Sequence, residues 1–212
     1  MFTKLALTLM LLSASVNPAS QGVILPQPLA QHSMPLDDRY SNPYVNGVFK
    51  DNILLTLNYL SGAVKSAQQI SWDDVEKPFH FEFTLQPGQT FAFHDSLLPE
   101  YAGRVVKTTN THFNYQDGFK SDGYLTGDGV CHLASLIYWT AEDAGLAANA
   151  PTNHNFAPIP DVPREFGVAI YVSPSSAASA RENLYITNNK KAPVSFIFDY
   201  RDNLLTTSIM VD

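Results

Sequence analysis

The chain contains a single cysteine, Cys131, among 212 residues, so no internal disulfide can hold the molecule together. The fold must therefore rest on a hydrophobic core. The length suits one sizeable core and is short for two. An apolar content of 45% with 16% charged residues is typical of a globular domain. We expect one folded domain whose thiol is either a small buried apolar group or kept for chemistry.

Residues 1–20 are typical of a secretory signal peptide, because Lys4 precedes a short apolar run at residues 5–12 and small residues follow. The apolar run is far shorter than the roughly 20 residues that span a bilayer. We therefore expect no membrane span and a secreted or periplasmic location in the cell envelope. The net charge of −7 disfavours nucleic acid and anionic membrane surfaces as partners.

Hydrophobic periodicity predicts an α+β fold. Residues 21–45 contain four prolines and are interpreted as an extended N-terminal arm, so that residues 46–212 form the single domain. Helices are predicted at residues 46–60, with Asn46 as a candidate cap, and at residues 131–144. Residues 97–124 are predicted to be a long surface loop with a hairpin that pairs residues 104–109 with 111–115.

Alternation of apolar and polar residues predicts the strands. The clearest case is Phe79, Phe81 and Phe83, which alternate with polar residues. The other predicted strands are residues 90–93, a buried run at 167–172, and residues 184–187, 194–200 and 204–211. The last three predict a C-terminal antiparallel β-meander. We expect the cysteine-bearing helix to be central and to pack on a mainly antiparallel sheet.

Cys131 follows Gly127, Asp128 and Gly129 and lies in the first turn of the second predicted helix. Unpaired backbone N–H groups and the positive end of the helix dipole favour a thiolate at such a position, which would lower the thiol pKa. Asp128 is a candidate N-cap for this helix. The alternative interpretation is that Cys131 is a buried apolar residue without reactivity.

Four segments in order resemble the VanW family. The first is Gly127-x-Gly129-Val130-Cys131-x-x-Ala134-Ser135-x-x-Tyr138, followed by Ala144-Gly145-Leu146. The others are residues 86–94, Asn153-His154, and residues 184–196 with Asn188-Asn189 and Pro193. The resemblance covers residues 81–198. His132 stands where the family usually has glutamine, and His94 where it has asparagine.

The resemblance implies an exported protein of the cell envelope, because the family takes its name from vancomycin-resistance gene clusters and its members are often joined to peptidoglycan-associated domains. The helix that opens with a cysteine and precedes a histidine is also similar, more loosely, to transglutaminase and papain-like cysteine enzymes. In those enzymes the thiolate attacks an acyl carbon and a histidine transfers the proton.

The first functional hypothesis is therefore a cysteine-dependent enzyme that transfers acyl groups or cleaves amides in peptidoglycan peptides. Cys131 would be the nucleophile and His154 its base, with His94 as the second candidate for that base. Substrate contacts are expected from residues around the helix start and the preceding loop, namely Asp128, Gly129, His132, Ser135 and Tyr124. No cofactor is expected.

The alternative is a non-catalytic module that binds peptidoglycan or another cell-wall polymer and has a structural cysteine. Aromatic residues of the long loop would then line the site. These are Phe113, Tyr115, Phe119 and Tyr124. A metal site formed by Cys131 and nearby histidines is a third hypothesis, but no pair of ligands shows the short spacing of known zinc motifs. We therefore expect no metal.

Overall fold

The computed structural model describes residues 27–172 and 176–212, so the predicted signal peptide at residues 1–20 lies outside the described residues. The strands are β1 Ala30–Pro35, β2 Phe79–Leu85, β3 Thr90–Ala92, β4 Val105–Lys107, β5 Ala147–Asn149, β6 Tyr185–Thr187, β7 Val194–Arg201 and β8 Leu204–Val211. The α-helices are α1 Pro43–Ser61, α2 Trp72–Val75, α3 Val130–Asp143 and α4 Ser176–Arg181. Within these two ranges, no helix is both long and apolar enough to cross a membrane.

The strands form two four-stranded sheets, and the predicted α+β class is confirmed. The first sheet has the order β1-β8-β7-β2, and every neighbouring pair in it is antiparallel. The second has the order β4-β3-β6-β5, in which β3 and β4 alone pair in parallel. The C-terminal strands form the predicted meander through β7 and β8, while β6 lies in the second sheet.

The phenylalanine alternation of β2 is confirmed and fixes how β2 pairs with β7. Phe83 stacks on Phe196 with ring centroids 4.9 Å apart and planes 3° from parallel. Phe81 stacks in the same way on Phe198, at 5.9 Å. Each pair lies directly opposite in the antiparallel register. Because a one-residue slip would turn all these rings to the other face, the aromatic pairs determine the register.

The predicted N-terminal arm supplies an edge strand to the first sheet. β1 pairs antiparallel with β8, with Ala30 opposite Ile209. The first helix then begins at Pro43, three residues before the predicted start, because Asn42 accepts a hydrogen bond from the N–H of Tyr44 and acts as the cap. Residues 30–35 of the predicted arm are therefore part of the first sheet, and residues 36–42 connect them to the first helix.

Asn46, the predicted cap, lies inside α1 and has a different role. Its side-chain oxygen accepts the backbone N–H groups of Arg39 (3.0 Å) and Tyr40 (2.7 Å). Its amide nitrogen donates to the carbonyl oxygens of Tyr40 and Asp37. One buried amide thus satisfies four backbone groups and holds the connection between β1 and α1 against the helix.

The predicted hairpin at residues 104–115 is wrong. β4 pairs in parallel with β3, and no strand follows it until β5. The Asp117 carboxylate accepts the hydroxyl of Thr111 (2.9 Å) and the N–H of His112 (2.6 Å), so side-chain bonds replace a strand ladder here. Phe113 and Phe119 are buried in the core, which anchors this loop from within.

α3 is the central helix, as predicted. It contacts β1 and β8 of the first sheet, β5 of the second sheet, and α1. Its N-cap is Gly129, which has a φ of 96°. A Cβ atom at Gly129 would lie 2.6 Å from the carbonyl oxygen of Phe49 in α1. Only glycine combines this backbone conformation with so close an approach of two helices.

We predict that Gly129→Ala destabilises the protein far more than Gly62→Ala. Both glycines have positive φ, but a Cβ at Gly62 would meet nothing within 4 Å. Gly62→Ala should therefore lower the free energy of unfolding only by the backbone strain, about 1–2 kcal/mol. Gly129→Ala should add roughly 1–3 kcal/mol of steric overlap. Equal losses of stability in urea unfolding would contradict this account of the α1–α3 contact.

Candidate functional site

Cys131 is the second residue of α3, so its predicted place in the first helical turn is confirmed. The candidate cap Asp128 does not cap the helix, since the N-cap is Gly129 and no side chain bonds there. The Asp128 carboxylate instead accepts the N–H of Asp122 at 3.1 Å and closes the preceding loop. Burial raises the pKa of Asp128 to about 6, against a smaller lowering by the Asp122 N–H.

The Cys131 sulfur is hydrogen-bonded to the backbone of Ile170. The N–H of Ile170 donates to Sγ at 3.4 Å, and the thiol can donate to the carbonyl oxygen of the same residue at 3.6 Å. Cys131 is partly buried. Both directions of hydrogen bonding that a thiol offers are therefore used by one residue, 39 positions along the chain.

Ser135, one turn further along α3, also hydrogen-bonds to the backbone near Ile170. Its hydroxyl oxygen accepts the N–H of Val168 at 2.8 Å and donates to the carbonyl of Cys131 at 2.7 Å. Ala169 lies between Val168 and Ile170, and its N–H donates to the carbonyl of Thr152 at 3.0 Å. The amides of residues 168–170 thus alternate between α3 and residue 152, as they would between two strands.

This arrangement corrects the prediction of a buried strand at residues 167–172. The segment is extended, but its ladder is limited to one isolated bridge between Val168 and Asn153. Side chains of α3 take the place of a neighbouring strand. Ser135, predicted to contact substrate, is fully buried and has this supporting role instead.

The pKa of Cys131 is raised and not lowered. Burial, the largest effect, together with the negative charge of Asp128, raises the pKa of the thiol to about 11, against a smaller lowering by the Ile170 N–H. The expected stabilisation of a thiolate by the helix start is therefore outweighed by desolvation. At neutral pH the thiol is protonated.

His154 is not hydrogen-bonded to Cys131, although both residues are described. Its Nδ1 donates to the carbonyl oxygen of Ala157 at 3.0 Å. Its ring packs against that of Phe156, with centroids 3.9 Å apart, and edge-on to that of His132 at 6.4 Å. Burial lowers the pKa of His154, so the ring is neutral at pH 7.

His94, the second candidate base, is fully buried and has both ring nitrogens occupied. Nε2 donates to the carbonyl oxygen of Glu182 at 3.0 Å, and Nδ1 accepts the N–H of Ser96 at 3.3 Å. The Glu182 carbonyl also accepts the N–H of Tyr171. His94 therefore supports the same extended segment that Cys131 and Ser135 hold, and burial lowers its pKa.

His132 is buried in a network that the sequence did not indicate. The Nε of Arg39 donates to His132 Nδ1 at 3.1 Å, so the ring proton lies on Nε2, which faces the Tyr40 hydroxyl at 3.5 Å. Arg39 also donates to the carbonyls of Pro35 and Pro160. Burial and the adjacent Arg39 charge hold the pKa of His132 well below 6.5. His132, which was expected to contact substrate, is thus a buried neutral residue.

The aromatic residues expected to line a binding site divide into two groups. Phe113 and Phe119 are buried, whereas Tyr115 and Tyr124 are exposed. Tyr115 faces a groove of about 570 Å³ beside the start of α1, which we call the tyrosine groove. It is lined by Pro43, Tyr44, Gly47, Val48, Asp51, Tyr115, Phe119, Lys120 and Ser121. Tyr124 is 91% exposed and lies outside this lining.

The tyrosine groove has two exposed tyrosine rings, and the polar groups next to them are held by hydrogen bonds and an ion pair. Tyr44 is 63% and Tyr115 66% exposed, and the Tyr44 hydroxyl donates to the Ser121 carbonyl at 3.1 Å. Lys120 forms an ion pair with Asp51 and lies 3.6 Å from the centre of the Trp72 ring. Because these contacts already engage its charges, the groove offers mainly aromatic surface and neutral polar groups.

A second groove of about 390 Å³ lies on the other side of the first turns of α1, and we call it the acidic groove. Its lining consists of Leu36, Asp37, Asp38, Tyr40, Ser41, Pro43, Asn46, Gly47 and Lys50. Asp37 and Asp38 are exposed, and neither forms an ion pair with another described residue. Pro43 and Gly47 line both grooves.

No group of three or more histidine, cysteine, aspartate or glutamate side chains in the described part of the chain is arranged to hold a metal ion. Cys131, His94 and His154, which the metal hypothesis would join, each have the separate backbone partners given above.

In a comparison with known protein families, residues 81–210 match the model of a family described as VanW like protein. The matched range includes α3, the extended segment at residues 167–172 and all strands of the second sheet, whereas β1 of the first sheet lies before it. No curated protein and no solved structure matches the chain.

We predict that His132→Gln makes the protein less sensitive to acid. An unfolded histidine takes up a proton near pH 6.5, whereas buried His132 does so only at much lower pH, so wild-type stability falls as the pH drops below 6.5. Glutamine can accept the Arg39 bond and has no proton to gain. Between pH 7.5 and pH 5 the variant should lose up to about 2 kcal/mol less unfolding free energy than wild type. Identical losses in urea unfolding would contradict the buried neutral histidine.

Proposed function

The chain belongs to the VanW-like family, and from this premise we propose that it is an exported, non-catalytic protein that binds a cell-wall polymer in the tyrosine groove. Export is supported by the signal-like sequence of residues 1–20. A cell-wall partner, peptidoglycan in particular, is what the family resemblance implies. Cys131 has a structural role in this proposal.

The observation that carries the proposal is the environment of the Cys131 sulfur. Its hydrogen bonds go to the backbone of Ile170, and burial raises its pKa to about 11. A cysteine nucleophile needs an accessible thiolate and a base within hydrogen-bond reach. His154 donates to Ala157 and makes no hydrogen bond with Cys131. The geometry therefore favours binding over chemistry.

The competing function is cysteine-dependent acyl transfer on peptidoglycan peptides. It would require the sulfur to leave Ile170 and the His154 ring to approach it. Nε2 of His154 is the nitrogen that could then act as a base, since Nδ1 donates to Ala157. That rearrangement would leave the N–H of Ile170 without a partner, which costs about 1–3 kcal/mol when buried.

The tyrosine groove supports the binding function by its chemistry. Two exposed tyrosine rings provide apolar faces of low conformational entropy. The Tyr44 hydroxyl donates its proton to the Ser121 carbonyl and can still accept a hydrogen bond from a ligand. Polymers of sugars and peptides bind to such surfaces through ring faces and hydrogen bonds. The net charge of −7 makes a polyanionic wall polymer a poor ligand.

We predict that wild type and Cys131→Ser bind purified cell-wall sacculi equally, because a serine hydroxyl can still accept the N–H of Ile170. Tyr115→Ala should weaken binding about tenfold, which corresponds to about 1.4 kcal/mol for the loss of one ring face. The measurement is a sedimentation assay with increasing amounts of sacculi. Tyr124→Ala is the matched control, since Tyr124 is exposed but lies outside the groove lining.

The same samples distinguish the two functions. Soluble peptides or exchanged cross-links produced by wild type and absent with Cys131→Ser would establish catalysis and overturn the proposal. Equal loss of binding in Tyr115→Ala and Tyr124→Ala would remove the groove from the proposal.

A further inference from the structure

Gly47 is an unexplained glycine within α1. It lies in the first turns of the 19-residue helix and does not have a positive φ. A Cβ atom there would meet nothing within 4 Å. Glycine destabilises a helix interior relative to alanine. Because Gly47 does not need a positive φ and has room for a Cβ atom, neither backbone conformation nor packing requires glycine there.

The position of Gly47 supplies a different reason. It lines both the tyrosine groove and the acidic groove, as does Pro43, which is four residues earlier and on the same face of the helix. The start of the helix therefore lies between the two grooves. Because Gly47 has no side chain, no side-chain atom at this shared position separates them.

We propose that the two grooves form one trough that binds a single extended glycan strand, which crosses α1 at Gly47. This inference rests on the proposed function and names the part of the wall polymer that is recognised. A sugar ring lies against Tyr44 and Tyr115, and the following sugars pass over Gly47 toward Ser41. A ligand confined to the tyrosine groove would not require an open passage over the helix.

The charges along the trough favour neutral or amine-bearing sugars. At the tyrosine end, the Lys120 charge is paired with Asp51. At the other end Asp37 and Asp38 are exposed, and Lys50 lies near Glu76 at 3.5 Å and donates to Asn203. A phosphate-bearing or uronic acid polymer would meet unpaired carboxylates there. A strand of N-acetylated amino sugars carries no charge and presents amide and hydroxyl groups to these acids.

The test uses β-1,4-linked N-acetylglucosamine oligomers with the full mature chain in isothermal titration calorimetry. Wild type should bind the tetrasaccharide at least tenfold more tightly than the disaccharide, which fills only one groove. Gly47→Leu should bring the ratio of the two affinities close to one. The ratio within each variant is the readout, because Gly47 also lines the tyrosine groove that the disaccharide occupies. Gly47→Ala should weaken tetrasaccharide binding about threefold while raising Tm by about 2 °C, because alanine stabilises the helix.

The outcomes separate this inference from the proposed function. If wild type binds sacculi but no oligosaccharide, or if Gly47 variants bind the tetrasaccharide like wild type, the glycan trough is overturned and wall binding stands. If a stem peptide free of sugar binds and competes with sacculi in a Gly47-dependent way, the occupant is a peptide and the inference is also overturned. If wild type binds neither sacculi nor oligosaccharides, the proposed function itself fails.

Discussion

The contact on which this structure depends is the docking of an extended segment onto the side chains of α3. The N–H groups of Val168 and Ile170 donate to Ser135 Oγ and Cys131 Sγ, four residues apart on one helix face. A buried backbone amide needs a partner, and no strand is available on this side of the segment. The side chains of Ser135 and Cys131 supply these partners. α3 therefore provides the hydrogen bonds that a neighbouring strand would otherwise provide.

Close packing at the start of α3 explains why glycines precede Cys131. Gly127 and Gly129 let the chain approach Phe113 and Phe49 more closely than any Cβ would permit. This close approach sets the start of α3, and the start of α3 sets the direction of the Cys131 sulfur. In the function proposed above, this motif therefore has a structural role. Binding is proposed for the exposed surface beside α1, where side chains are not committed to the core.

Local patterns allowed part of this structure to be predicted. The alternation around Phe81 and the apolar spacing after Cys131 report on neighbours within a few residues, and both predictions were correct. The partners of buried polar groups were not predictable, because Cys131 meets Ile170 39 residues away and Arg39 meets His132 93 residues away. Periodicity carries no information about such distant pairs. The lowered thiol pKa was wrongly expected for a related reason, since the burial that raises the pKa depends on the tertiary fold and not on the position of Cys131 in the helix.

The ionisation of the Cys131 thiol tests this account most directly. Thiolate absorbance in the ultraviolet can be followed against pH in the folded wild type, with Cys131→Ser subtracted to remove the signal of tyrosines. A sulfur that is buried and hydrogen-bonded to Ile170 should ionise with a midpoint near 11. A midpoint at or below the value of about 8.5 for an unperturbed cysteine would mean that the thiolate is stabilised, and would contradict a structural cysteine.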